Sequence, residues 1–200
     1  MVHFGKKPVY LLEKGLSKKE KIMMKEGIED VLKIAEVEDD MWVETPNFSI
    51  EDVVQEVTEK IKSEYKVNAS LLMEKIEDLF DGYIIAGVDS HICSETLGSL
   101  SGVSIYNTGI VSRYYFEFKE ENKKNECMKT ITMHELGHMF KLVEIELSAS
   151  KDGVWKYHCP NKCIMRTNQN GYTWESITND RINDKPFCNS CEEHLKKYFI

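Results

Sequence analysis

His134-Glu135-Leu136-Gly137-His138 is the segment that most restricts what this chain can fold into. Two histidines four residues apart leave the same face of a helix, one turn plus a little apart. Both imidazoles can then hold one Zn²⁺, and the adjacent Glu135 can reach a water at the ion. A fold built on this segment needs a helix here and at least one more ligand brought to it. The upstream residues permit the helix: Met128, Ile131 and Leu136 are apolar, and no proline interrupts residues 125–138.

A catalytic zinc usually keeps three protein ligands and one open position. The third ligand here has four candidates: Glu144, His158, Glu175 and His194. On an unbroken helix Glu144 stands about 80° from His134 and roughly 15 Å further along the axis. It could ligate only if the helix turned sharply near position 141, where a glycine would permit the turn. Position 141 is lysine, and Leu142, Val143 and Ile145 continue an apolar pattern. The helix is therefore expected to run on toward Ser148. Lys151-Asp152-Gly153 is the next strong turn, and a reversal there can return His158 to the metal. His158 is the preferred third ligand at this point, with the other three still open.

Cys159-x3-Cys163 and Cys188-x2-Cys191 form two pairs with 24 residues between them. Four thiolates so spaced suit a closed, tetrahedral structural zinc, with a pair of disulfides or free core cysteines as the alternatives. Residues 168–184 are polar and read as a loop that such a cross-link would fix. Cys93 and Cys127 have no partner by spacing and read as small buried hydrophobes.

Elsewhere the pattern alternates strands and helices. Residues 9–12 read as a strand. Ser17 and Glu20 form a capping box for a helix over about 18–36, with Met24, Ile28, Val31, Leu32 and Ala35 on its apolar face. Residues 41–44 read as a short strand. Ser49 opens a second helical stripe through Ile50, Val53, Val54, Val57 and Ile61. Leu72, Ile76, Leu79 and Phe80 give a third, ended by Asp81-Gly82. Residues 83–88 read as a buried strand and 89–101 as loop. Residues 103–106 and 110–116 read as a hairpin around Asn107-Thr108-Gly109, followed by a helix from about 125. The expected organisation is a single domain over 1–200, with an upper α/β part at about 1–147 and an irregular lower lobe at about 148–200.

Charge and composition narrow the partners. Lys plus Arg total 26 against 34 Asp plus Glu, a net charge of −8. An acidic surface disfavours nucleic acid and anionic lipid, both of which need cationic neutralisation. Hydrophobic residues make up 42% of the chain, which allows a sizeable core without disulfides. No stretch approaches the roughly 20 apolar residues of a membrane span. The opening residues do not read as a signal peptide. A cytoplasmic protein is expected, without membrane or nucleic-acid partners. In that reducing setting, clustered cysteines read first as metal ligands.

The motifs together resemble the archaemetzincins, a family of metzincin-like zinc metallopeptidases. The family runs HExxH, then His-Cys, a second Cys, any residue, Met, and a late CxxC. Here those elements are His134-Glu135-x-x-His138, His158-Cys159, Cys163-Ile164-Met165 and Cys188-x-x-Cys191. Phe187 and Leu195 resemble the family's ending. Tyr65, Asn68, Ala69, Leu71 and Leu72 resemble it more loosely, as does Val111-Ser112-x-Tyr114. The chain departs from the family in three places. Lys141 stands where a glycine is usual. Nineteen residues separate His138 from His158, as though a segment were inserted. The first cysteine pair is one residue tighter.

The resemblance implies an α+β, metzincin-like zincin: a small mixed β-sheet, several helices including the HExxH active-site helix, and an irregular zinc-stabilised C-terminal lobe. It implies that His134, His138 and His158 bind a catalytic zinc, that Glu135 is general base and acid, and that Met165 forms the Met-turn beneath the metal. Cys159, Cys163, Cys188 and Cys191 would bind a structural zinc, giving two Zn²⁺ per chain. The implied activity is hydrolysis of a peptide or protein substrate. The strand at 110–116 can align an extended peptide by strand addition, and Tyr157 or Tyr172 can stabilise an oxyanion. Two alternatives remain. One is a zinc-stabilised binding or regulatory module without catalysis. The other is a regulatory zinc peptidase whose third ligand is a carboxylate such as Glu175.

Overall fold

A computed structural model describes residues 6–61, 63–94, 98–116, 120–142, 158–166 and 173–200. In chain order the elements are β1 (Val9–Lys14), α1 (Lys18–Ile34), β2 (Val43–Glu44), α2 (Glu51–Glu56), β3 (Thr58–Ile61) and β4 (Glu64–Asn68). There follow α3 (Ala69–Ile76), β5 (Tyr83–Val88), β6 (Ile92–Ser94), β7 (Gly98–Leu100), β8 (Gly102–Ile105) and β9 (Thr108–Ser112). The last three are α4 (Glu121–Met139), α5 (Trp174–Asn183) and α6 (Asn189–Tyr198).

The strands form two mixed sheets, ordered β2-β1-β5-β9-β8 and β3-β4-β6-β7. In the larger sheet β2, β1, β5 and β9 run parallel, and β8 lies antiparallel to β9 along the outer edge. The layering follows from β5, whose residues are all buried. Alternation along a strand sends neighbours to opposite faces. Tyr83 and Ile85 join Met24, Ile28 and Val31 of α1 and Met128, Ile131 and Leu136 of α4 in one core. Ile84, Ala86 and Val88 join Val54 of α2 and Leu72 and Ile76 of α3 in the other. The HExxH helix α4 therefore lies beside α1 on one face of the larger sheet.

The start of α4 is tethered by a buried anion. The capping box read from Ser17 and Glu20 is present, and the fully buried Glu20 carboxylate accepts the Ser17 N–H at 2.7 Å. The same carboxylate meets Arg113, just past β9, at 3.4 Å and Lys124, in the first turn of α4, at 3.5 Å. One helix cap thus pins α1, β9 and α4 together.

Several elements differ from the sequence reading. The helical stripe at 50–61 divides: α2 ends at Glu56, and residues 58–61 pair with β4 in the register Thr58↔Val67 to Ile61↔Glu64. The third helix stops at Ile76, leaving Leu79 exposed. Residues 89–101 are not all loop, since β6 and β7 pair with each other and β6 pairs with β4. The hairpin is present with its turn shifted to Tyr106 and Asn107, and its second strand ends at Ser112. Tyr106 takes φ +54° there, the left-handed region a tight hairpin turn needs. The segment read as a polar loop carries α5, opened by a Thr173–Ser176 capping box. Among the described residues no helix is long and apolar enough to cross a membrane.

Removing Glu20 leaves two cations facing a buried position. Glu20→Ala should lower stability by about 2–4 kcal/mol, against about 1 kcal/mol for Ser17→Ala, which removes only a cap. Urea unfolding of both variants checks this, and equal losses would reduce Glu20 to its capping role.

Candidate metal centre

Two of the imidazoles come from the last turns of α4. His134 is buried and its Nδ1 lies 2.6 Å from the Ile164 carbonyl oxygen, so Nδ1–H donates and Nε2 is left with its lone pair. That Nε2 faces His138 Nε2 at 3.0 Å. His158 completes the group: one ring nitrogen from each of His134, His138 and His158 lies within 4.8 Å of the others. Two Zn–N bonds at a tetrahedral angle place their nitrogens about 3.3 Å apart, so the His134–His138 spacing fits one ion with little adjustment. His158 Nδ1 is buried and has no hydrogen-bond partner. Burial, with His158 adding to it and the Ile164 carbonyl opposing it, drives the His134 pKa down to about 3. Burial and its imidazole neighbours push His138 down as well, and burial lowers His158. Neutral imidazole is the form that binds a metal.

The helix does not run on toward Ser148 as the sequence suggested. It ends at Met139, and Lys141 takes φ +59°, the left-handed conformation usually given to glycine. Lys141 N–H donates to the His138 carbonyl at 2.9 Å and Leu142 N–H to the Gly137 carbonyl at 3.0 Å. This pair of bonds is a Schellman stop. Its usual accompaniment is an apolar contact made by the residue after the left-handed one, and Leu142 is buried against Gly137. The apolar residue that looked like helix continuation is the plug that ends it. Glu144, Tyr157 and Tyr172 lie outside the described residues.

Gly137 also admits Met165. A Cβ at position 137 would collide with Met165 Sδ and stand 3.2 Å from Leu142 Cδ1, so the bare backbone lets the methionine seat against the helix between the two histidines. Met165 belongs to a short loop closed by Cys159 N–H to Met165 O (2.8 Å) and Arg166 N–H to Cys163 O (3.1 Å). Ile164 N–H donates to Pro186 O at 2.9 Å, and Arg166 pairs with Asp180 of α5.

The same loop carries half of a second group. The sulfurs of Cys159, Cys163, Cys188 and Cys191 lie within 4.8 Å of one another. Cys159 Sγ and Cys188 Sγ are 3.7 Å apart, where two Zn–S bonds at a tetrahedral angle would place them about 3.8 Å apart. Asn161 Nδ2 donates to Cys188 Sγ at 3.6 Å. Hydrogen bonds from Cys163 and Cys191 lower the Cys159 thiol, and donating to Cys159 raises Cys163 and Cys191. Four sulfurs packed this closely are the donor set that a tetrahedral ion would bridge. Cys93 and Cys127 are buried away from it.

Glu135, which follows His134 on α4, is buried, and Ser104 of β8 donates to its Oε2 at 2.8 Å. Gly102, two residues earlier on the same strand face, leaves room for the carboxylate: a Cβ there would stand 2.5 Å from Oε1. Burial raises the Glu135 pKa to about 8, with the Ser104 hydrogen bond opposing it. The other third-ligand candidates within the described residues are elsewhere. Glu175 pairs with Lys123 at 3.4 Å, and His194 sits on α6, outside the imidazole group.

Comparison with solved structures bears on this combination of fold and site. An archaemetzincin from Methanopyrus kandleri superposes with a TM-score of 0.69, covering 98% of this chain and 96% of that one at 16% identity. The fold is that of the archaemetzincins. An archaemetzincin from Archaeoglobus fulgidus, complexed with malonate, matches at TM-score 0.64 and 12% identity, over 94% of this chain and 99% of that one. A zinc-dependent peptidase from Methanocorpusculum labreanum matches at 0.54 and 14% identity, over 94% of this chain and 99% of its own. No protein-family sequence model matches the chain, and no curated protein does.

Within this archaemetzincin fold, three site features escaped the sequence reading. Ser104 meets Glu135 only because β8 crosses α4. The Ile164 carbonyl carries no side-chain signal. Trp174, at the start of α5, lies edge-on to His134 with ring centroids 5.1 Å apart. The strand at 110–116 is also misassigned as a docking edge. β9 has β5 on one side and β8 on the other, so the outer edge beside Glu135 belongs to β8.

The left-handed lysine sets a measurable strain. A non-glycine residue pays about 1–2 kcal/mol in that conformation, partly offset in glycine by its looser unfolded chain. Lys141→Gly should raise stability by about 0.5–1 kcal/mol, whereas the β-branched Lys141→Val should lower it. Denaturant midpoints for the two variants should move in opposite directions.

Proposed function

We propose that this chain is an archaemetzincin and a zinc-dependent peptidase, holding one Zn²⁺ on His134, His138 and His158 and a second on Cys159, Cys163, Cys188 and Cys191. The observation that carries the reading is the convergence of three imidazoles at the end of a helix that also carries a buried carboxylate, Glu135, held by Ser104. Zinc on three imidazoles supplies Lewis acidity that lowers the pKa of water and polarises an amide carbonyl.

The remaining work falls to the chain's own groups. Glu135 takes a proton from the attacking water and delivers it to the leaving amine nitrogen, so that water and amide become carboxylic acid and amine. Ser104 Oγ keeps Oε2 occupied and directs the carboxylate. His134 is held in one tautomer by the Ile164 carbonyl, which presents Nε2. Met165 supports the helix face from below at Gly137, in the position of a Met-turn. Among the described residues no strand pairs with the outer edge of β8, and an extended peptide added there would have its amide alongside Glu135.

The test is turnover of a peptide library with and without the base. Glu135→Gln should retain zinc and lose about 10²–10⁴ in kcat/KM. Ser104→Ala should lower kcat by about 10- to 100-fold with little change in KM, as expected for one hydrogen bond to a charged group. Full activity in Glu135→Gln would end the peptidase reading.

A further inference from the structure

We infer that the four-cysteine cluster positions the imidazole centre, so that the His134–His138–His158 site gains its full metal affinity only when the cysteine site is filled. This rests on the reading of two metal ions per chain. One loop serves both groups. His158 precedes Cys159 by one peptide bond. Ile164, whose carbonyl fixes the His134 ring, follows Cys163 directly. Met165, which seats against Gly137, follows Ile164. Each point at which the loop reaches α4 is thus one or two residues from a cysteine, and adjacent Cα atoms are held about 3.8 Å apart. The loop cannot place its cysteines without placing His158, Ile164 and Met165.

The dependence runs one way. His134 and His138 stand on α4, which is held mainly by α1, the larger sheet and Glu20, with Ile164 and Met165 of the loop packed into the same core. The loop has less of its own. Arg166 ties its far end to Asp180 of α5, and its backbone bonds join residues of the loop to each other and to Pro186, two residues before Cys188; the end that carries His158 and Cys159 has only the Cys159 N–H to Met165 O bond beside the cysteine cluster among the described backbone bonds. Thiol–thiol hydrogen bonds are weak, whereas a divalent ion on four thiolates is a cross-link. Emptying the cysteine site should therefore release the third imidazole and the tautomer-fixing carbonyl together. Emptying the imidazole site should leave the cysteine site intact.

Co²⁺ titration of metal-free protein tests this, since thiolate-to-cobalt charge-transfer absorption marks the cysteine site and elemental analysis counts the total. Wild type, Cys188→Ser, Cys188→His and His138→Ala are compared, with circular dichroism to confirm folding. In Cys188→Ser the imidazole site should bind Co²⁺ at least about 10-fold more weakly than in wild type. Cys188→His keeps a three-thiolate, one-imidazole set able to hold the ion and should restore that affinity. His138→Ala should lose the imidazole-site ion and keep the thiolate absorption. Wild-type affinity at the imidazole site in folded Cys188→Ser overturns the inference. Should that variant not fold, Cys188→His decides: its imidazole site must fill only as its altered cysteine site fills, and independent filling overturns the inference equally. A wild type that binds a single Co²⁺ would overturn the two-ion reading beneath it.

Discussion

His134 Nδ1 and the Ile164 carbonyl meet at 2.6 Å in a buried position, where three parts of the protein come together. α4 brings the imidazole, already fixed by packing against α1 and the larger sheet. The Cys159–Cys163 loop brings the carbonyl. α5 and the segment leading to α6 hold that loop through Asp180 and Pro186. A buried imidazole must satisfy its N–H, and doing so with a backbone carbonyl leaves Nε2 committed to whatever lies on the other side. The lone pair thus points toward His138 and His158 as a result of folding.

Burial shapes the rest of the centre. Three neutral imidazoles packed together disfavour protonation of any one of them, and a carboxylate enclosed beside them is pushed toward its neutral form. Among the described residues the side-chain donor to Glu135 comes from the edge strand β8, where Ser104 and Gly102 share a face. Among the described residues the strand that steadies the carboxylate is also the edge strand of its sheet, so under the proposed function the same four residues would position the base and receive an extended chain.

How much of this was legible in the sequence depended on whether local chemistry or distant packing decided it. The HExxH helix, the Ser17–Glu20 cap and the wholly apolar strand at 83–88 are local and were readable. The place of His158 beside the other two imidazoles was reachable from its neighbour Cys159 and from the Lys-Asp-Gly turn signal read at 151–153, which lies outside the described residues, although the stop at Lys141 was not. A lysine enters the left-handed region only because Leu142 finds a buried seat on Gly137, and nothing in the sequence reports that seat. β6 and β7 were invisible because short strands in a Ser- and Gly-rich stretch draw their stability from pairing, with β4 among others. Residues 58–61 fit a helical stripe and a strand equally well, and β4 decided between them. Ser104 and the Ile164 carbonyl belong to contacts across 31 and 30 residues of chain, which no local pattern encodes.

The central claim is that the chain holds two ions, one of them on His158. Zinc per chain, measured by elemental analysis on wild type and on His158→Ala, tests it most directly. Two separate donor groups predict two zinc ions in the wild type, falling to about one when the imidazole is removed and the four thiolates remain. Two zinc ions in both proteins would contradict the account and return the third ligand to a residue outside the imidazole group.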